Sequence, residues 1–260
     1  MRSRESEKSL QLLRPLKPKI ITLTAPYDSL ESNDELGENL LEMFRLKLRG
    51  YRDVYEYGVL PVDAYDFIST HHLFGFETEG PFRPLMAFRT IETDKCDLHG
   101  MPYPGLTILR SSGAHLHADT LLTLLNRWKG QRVSYASSWT MAPNLRLDRP
   151  VRDFLRDMMV TMLMNHELDR KTDHKVLCGV PKVHTDKLFE RYGYERVKAN
   201  GEPLPPFPQA SLMGEEAVLL HCERFSDEAL EIAAKHRHIW DARRIVGDTE
   251  AVAPAAKKAA

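Results

Sequence analysis

The chain has 260 residues, of which 42% are hydrophobic and 28% charged, and its formal net charge is −1. That length and balance suit one large domain or two small ones with a sizeable core, and exclude an intrinsically disordered chain. The near-zero charge supplies no basic field for nucleic acid or an anionic membrane surface.

No stretch reaches the roughly 18 apolar residues of a membrane span. The opening "MRSRESEKSLQLLRPLKPK" has basic residues but no apolar run behind them, which fails as a secretory signal. Cys96, Cys178 and Cys222 are too widely spaced for a disulfide framework or a zinc pattern. Together these features lead us to expect a cytoplasmic protein, with a flexible leader over residues 1–18, one domain over 19–246 and a flexible tail over 247–260.

Along the chain, "DELGENLLEMFRLKLRGYRDVYEYG" spaces Leu36, Leu40, Leu41, Phe44 and Leu48 as an amphipathic helix from Asp34, with Gly50 near its end. "PLMAFRTIET" and "GLTILRS" read as strands, "ADTLLTLLNRWKG" as a short helix and "QRVSYASSWTMA" as a further strand. In "PNLRLDRPVRDFLRDMMVTMLMNHELDR", residues Val151, Phe154, Leu155, Met158, Met159, Met162 and Leu163 form a one-sided stripe, and Pro150 suits the first turn. "KVLCGVP" reads as an apolar strand holding Cys178 as a buried small hydrophobe. "VHTDKLFERYGYE" is a helix ending at Gly193, "EAVLLHCERF" a late strand and "SDEALEIAAKHRHIWDARRIVG" a last helix. This order gives an α/β (α+β) fold with a mixed, mainly antiparallel twisted sheet and helices on both faces.

Chemistry concentrates in "VDAYDFISTHHLFGF", where Asp63 and Asp66 stand three apart. They are either caps of a turn that introduces a strand or carboxylates of an amine site. His71 and His72 beside them fit packed strand histidines or a proton relay. "SSGAHLHADT" alternates His115, His117 and Asp119, but Gly113 and the following "ADTLL" read as a loop entering a helix, and no metal site is expected.

"EMFRLKLRGYRDVY", "DAYDFISTHHLFGF" and "PLMAFRTIETD" in succession resemble the acyl-homoserine lactone synthases and the related N-acyl amino acid synthases. The later strand, long helix, apolar strand and helix ending "LFERYGYE" resemble the second half of the GNAT N-acetyltransferase fold. The resemblance runs over residues 36–223 and implies a GNAT-like fold and transfer of an acyl chain from a thioester to an amine. It implies acyl carrier protein or coenzyme A as donor carrier, an amino acid or AdoMet as acceptor, and no tightly bound cofactor.

Residue by residue, the resemblance puts Asp63 and Asp66 beside the amine donor, with Arg89 as the strand arginine. Lys47 or Arg49, together with Tyr51, stand near the positions of the helix arginine and aromatic. Ser137, Ser138 and Met141 fall where backbone amides meet the thioester carbonyl.

Two departures matter. The family's Glu and Arg on the strand before the long helix are replaced by Ala136 and Trp139, and the glycine-rich pyrophosphate cradle is absent from "NLRLDRPVR". Arg146, Arg149 and Arg152 remain at a helix start, either as a solvated face or as a site for one phosphate. The single phosphate of a phosphopantetheine would favour a carrier-protein donor.

Overall fold

The computed structural model describes residues 16–55, 59–77 and 79–247. The flexible stretches expected at 1–15 and 248–260 lie outside these residues. Nearer the core both expected boundaries move: Pro18 opens strand β1 (Pro18–Thr24) and Gly247 closes strand β11 (Arg244–Gly247).

Strands β2 (Thr70–Phe76), β3 (Met86–Glu92), β4 (Val133–Met141), β5 (His174–Gly179) and β10 (Glu215–Cys222) form the body of a nine-stranded sheet with β1 and β11. Short strands complete it, β6 (Glu195–Arg196) on β10 and β9 (Phe207–Gln209) also on β10, while β7 (Lys198–Ala199) and β8 (Glu202–Pro203) pair apart. The order is β11-β1-β2-β3-β4-β5-β10-β6. Among the described pairings only β1–β11 and β4–β5 are parallel, so the sheet is mixed and mainly antiparallel.

Helices cover both faces because side chains alternate along each strand. On β3, Ala87, Arg89 and Ile91 face one side, while Met86, Phe88 and Thr90 face the other. Helix α2 (Asp34–Arg52) packs Leu36, Leu40, Met43 and Leu46 against Ile21, Leu23, Leu73 and Ala87. Helices α3 (Thr93–Leu98), α4 (Pro104–Ser111) and α5 (His115–Arg127) extend that layer over Ile91, Tyr135 and Val176.

The opposite face carries α6 (Arg149–Arg170), whose Val151, Leu155, Met158, Met159, Met162 and Leu163 are buried on Phe74, Met86 and Phe88. Each such side chain contributes about 1.5–3 kcal/mol. Helices α7 (Thr185–Arg191), α8 (Asp227–Lys235) and α9 (Arg237–Asp241) complete the face, and a one-turn helix α1 (Pro26–Ser29) follows β1.

Three expectations change. "GLTILRS" is helix α4, not a strand: Pro104 starts its first turn, and Gly105 lets it approach Leu121 and Tyr135 where a Cβ would stand 3.0 and 3.4 Å away. A short apolar run fits either period, and packing decides. The last helix is broken near His236 into α8 and α9, and its end "RIVG" is β11, lying parallel on β1 at the sheet edge. Leu41 is not on the buried face of α2; it is 48% exposed, and the buried series runs Leu36, Leu40, Met43, Lys47, Gly50. Gly193 does end α7: its φ is +98°, and a Cβ there would meet Arg224 O at 2.7 Å.

Candidate active site

Ala64–Phe67 forms one turn of 3-10 helix before β2, and both aspartates cap it. Asp63 accepts from Tyr65 N at 2.9 Å, while Asp63 N donates to Asp66 Oδ2 at 3.0 Å. This is a capping box, for which a spacing of three is required. The cap and the polar site are therefore the same construction.

The free edges of the two carboxylates meet cations from two other elements. Lys47 Nζ of α2 donates to Asp66 Oδ1 at 2.6 Å, and both side chains are at most 1% exposed. Arg89 of β3 holds Asp63 with Nη1 and Nη2 at 2.6 and 2.7 Å, and its Nη1 lies 2.8 Å from Asp66 Oδ1. Its Nε donates to Ser137 Oγ on β4 at 3.0 Å.

Two cations and two carboxylates thus balance, with Lys47, Asp66 and Arg89 nearly dry and Asp63 half exposed, so that the buried members depend on one another. Burial pushes the Lys47 amine down to about 8, aided by the Arg89 charge and opposed by Asp66. Burial alone would raise Asp66, but the Arg89 and Lys47 charges outweigh it and hold the carboxyl at about 2.

Beside this quartet the sheet opens. Strands β4 and β5 pair only at Val133–His174, Ser134–Lys175 and Tyr135–Val176, and no pairing follows. On the other side of β4 the register with β3 shifts between Ala87–Thr140 and Arg89–Ser137, so Ser138 and Trp139 together oppose the single residue Phe88. That bulge holds Ser138 at φ +58°, an uncommon conformation for a side chain larger than glycine's.

A cavity of about 540 Å³ occupies the opening. On the α2 face it is lined by Tyr51, Asp63, Tyr65, Arg89 and Thr107; on the α6 face by Phe88, Met159, Leu163 and Phe189. The bulge residues Ser137, Ser138, Trp139 and Thr140 stand where the two halves join. The cavity thus threads the sheet, with the charged pair Asp63 and Arg89 on the α2 face and Met159, Leu163 and Phe189 on the α6 face.

Of the other expected site residues, Tyr51 lines the cavity and bonds the Ser138 side chain; burial pushes its hydroxyl up to about 12. Met141 also lines it. Arg49 is exposed on α2 and outside the lining, so the helix cation that joins the aspartates is Lys47.

Arg146 and Arg152 reach the cavity, whereas Arg149 is 83% exposed, pairs with Asp153 at 3.7 Å and does not. Arg146 is largely committed, to Asp53 at 2.9 Å, Gly50 O at 2.9 Å and Met141 O at 3.0 Å, tying the end of α2 to the end of β4. The start of α6 is capped by Asp148, which accepts from Val151 N at 3.2 Å. A carboxylate of the chain itself thus stands at the helix N-terminus where a phosphate would bind.

His71 bonds Asp66 O at 2.6 Å and is pushed to about 4 by burial; His72 bonds Thr22 and packs against Phe88 and His166. Neither lines the cavity, so both are packed histidines. His115, His117 and Asp119 lie on a helix, where alternation spreads side chains apart, and His117 bonds Pro205 O at 2.7 Å. Cys178 departs from expectation: it is half-buried and lines the cavity, because the strand it would have paired against has swung away. Ala136 and Trp139, at the positions of the family's Glu and Arg, line the cavity too.

No protein-family model matches the sequence, and no curated protein does. Among solved structures, FeeM, an N-acyl amino acid synthase from uncultured soil microbes, is similar over 86% of this chain and 97% of its own at 13% identity, with a TM-score of 0.50. BjaI, a coenzyme-A-dependent acyl-homoserine lactone synthase solved with SAM and isopentyl-CoA, matches over 90% and 97% at 13% identity and a TM-score of 0.49. The acyl-homoserine lactone synthase LasI matches over 80% and 89% at 14% identity and a TM-score of 0.45. The chain has the mixed-sheet, GNAT-like fold of an N-acyl amino acid synthase, as the sequence resemblance implies.

Proposed function

We propose that the protein is an acyltransferase that moves an acyl chain from a carrier thioester to the amine of a small acceptor, within a single domain spanning residues 18–247. The observation that carries this reading is the cavity through the sheet, with Asp63 and Arg89 on the α2 face and an apolar wall of Phe88, Met159, Leu163 and Phe189 on the α6 face. A long acyl chain fits among Phe88, Met159, Leu163 and Phe189, while an amine meets Asp63, whose side chain is 50% exposed. The thioester carbonyl then lies in the gap between β4 and β5.

There the bulge amides at Ser138 and Trp139 have no one-to-one partner on β3 and are suited to polarising the carbonyl oxygen. The amine nitrogen attacks the carbonyl carbon, the C–N bond forms and the C–S bond breaks. Tyr51, protonated at neutral pH, can donate a hydrogen bond to the departing thiolate, which takes its proton from solvent.

No histidine or glutamate lines the cavity among the described residues, and Asp63 is held by a guanidinium. The amine proton therefore leaves to water. Asp66 and Lys47 do not line the cavity; they hold Arg89 and Asp63 in place.

A carboxylate facing the acceptor fits an amino acid ammonium or the sulfonium of AdoMet; the latter would make the product an autoinducer for quorum sensing. Asp148 at the start of α6 disfavours any donor phosphate there, whether on an acyl carrier protein or on coenzyme A. The loss of Glu and Arg at Ala136 and Trp139 supports a second reading, a binding protein that holds an acyl ligand without turnover.

Mass spectrometry of extracts from cells expressing wild type or Asp63→Ala separates the two. New N-acyl compounds made only by wild type establish transfer and identify chain and acceptor. A bound lipid on purified protein with no new product establishes the binding protein.

A further inference from the structure

Far from the bulge, where β4 and β5 are still paired, a second cluster of donor side chains converges. Strand β10 runs antiparallel to β5, with His221 opposite Val176 and Cys222 opposite Lys175. Because side chains alternate, His221 and Glu223 project from the same face as His174 and Val176. The result is that one donor atom from each of His174, His221 and Glu223 lies within 4.8 Å of the other two. We propose that His174, His221 and Glu223 bind one divalent transition-metal ion of the zinc class.

The two spacings from His174 fit such an ion. His174 Nδ1 stands 3.1 Å from His221 Nε2 and 3.6 Å from Glu223 Oε1. A tetrahedral zinc about 2.0–2.1 Å from each nitrogen sets its ligand atoms about 3.3 Å apart, between these two distances.

His174 is also oriented for the task. Its Nε2 donates to Gln131 Oε1 at 2.8 Å, which leaves the Nδ1 lone pair aimed at the cluster, as in the outer shells of metal-binding histidines. Trp128 stacks on both rings, at 4.1 Å from His174 and 4.6 Å from His221, and fixes their planes. The Glu223 side chain is 68% exposed, so one side stays open for the ion to enter and for water to complete its shell.

Two imidazoles with one carboxylate select zinc, cobalt or nickel over magnesium or calcium, which take oxygen ligands. The neighbouring cation, Lys175, projects from the opposite face and donates to the carbonyls of Asp173 and Glu223 at 3.3 and 2.7 Å. The ion would join β5 to β10 at the paired end of the sheet, three residues or about 10 Å along β5 from Leu177 in the cavity wall. It is therefore a brace outside the acyl site, and its presence does not depend on the proposed reaction.

The test uses the full chain after chelator treatment, dialysed against equimolar zinc and titrated separately with cobalt while tryptophan emission is followed. Because the chain has eleven histidines, His221→Ala supplies the background. The expected result is one equivalent of zinc above that background, binding at least tenfold weaker in Glu223→Gln, and cobalt quenching that disappears in Trp128→Phe while stoichiometry is kept. Zinc should also raise the melting temperature of wild type more than that of Glu223→Gln, whose exposed side chain leaves folding intact. Equal zinc content in wild type, His221→Ala and Glu223→Gln overturns the proposal, as does undiminished quenching in Trp128→Phe. In either case the histidine pair is a plain hydrogen bond.

Discussion

Arg89 grips Asp63 through both terminal nitrogens, at 2.6 and 2.7 Å, while the same Nη1 reaches Asp66 at 2.8 Å. One guanidinium therefore serves a carboxylate half open to the cavity and another fully buried, and the two aspartates have separable roles. Asp66→Asn leaves Lys47 and Arg89 sharing a single carboxylate in a dry interior, so its main effect is on stability, a loss of about 3–5 kcal/mol. Asp63→Asn leaves Lys47 and Arg89 on Asp66 and should abolish transfer while costing less stability than Asp66→Asn, because the carboxylate it removes is half exposed. Denaturant unfolding and product assays on the two variants check this; an Asp66→Asn protein that is stable yet inactive would put Asp66 in the chemistry instead.

The quartet also sets a pH signature. Asp66 is held at about 2, below its ordinary value of 3.8, so between these limits the unfolded chain binds more protons than the folded one. Its stabilisation is complete above about pH 4 and is lost as pH falls toward 2, amounting to about 2 kcal/mol. Glu92, held at about 2 by its bond to His166 and the His166 and Arg170 charges despite burial, titrates in the same window. The wild-type slope minus that of Asp66→Asn isolates the aspartate, and equal slopes would show that it contributes nothing there.

If no side chain takes the amine proton, kcat/KM should rise tenfold per pH unit up to the acceptor's own amine pKa, without a plateau near 6 or 7. Tyr51 stays protonated through that range. Tyr51→Phe should lower kcat about 100-fold with little change in KM. A pH–rate plateau near neutrality would reveal a base that this geometry does not supply.

The apolar half of the cavity should act as a ruler. Leu163→Phe fills space beside Met159 and should shift the product distribution to shorter chains, at about 0.8 kcal/mol per methylene excluded. The same substitution costs about 1–3 kcal/mol in overpacking, so chain-length profiles are compared at temperatures where both proteins are folded. An unchanged profile would place the acyl chain elsewhere. Acyl ligands should also shield Cys178 from thiol reagents, whereas Cys96 and Cys222 are buried with or without ligand.

Gly50 sits where α2 meets the end of β4. A Cβ there would collide with Thr140 Oγ1 and crowd Met141 O at 3.3 Å. Gly50→Ala should lower stability by about 1–3 kcal/mol. It should also loosen the Arg146 bridge between the two elements, with activity falling more than in Gly37→Ala, whose new methyl meets only Leu30 at 3.8 Å.

Much of this was legible in the sequence where local rules govern. The stripe of α6 and the three-residue spacing of Asp63 and Asp66 are statements about one helix and one capping box. Lys47 had a local signal as well, as a charge on the buried series Leu36, Leu40, Met43, Gly50 of α2. What stayed hidden was set between elements. The choice of Lys47 over Arg49 depends on which side of α2 meets the 3-10 turn. The exposure of Cys178 depends on β4 leaving β5, and the strand pairing of Arg244–Gly247 depends on β1 offering an edge. "GLTILRS" carries no periodicity long enough to distinguish helix from strand.

The β1–β11 pairing has a consequence for how the chain acquires its structure during synthesis. Val246 pairs with Leu23, a partner made about 220 residues earlier, so the sheet edge at β1 must wait for nearly the whole chain before it is covered. Until then β1, with apolar Ile20, Ile21 and Leu23, presents an unsatisfied strand edge on the ribosome. Truncation before Arg244 should therefore yield a protein that binds chaperones and aggregates through β1 even though every residue lining the cavity is present.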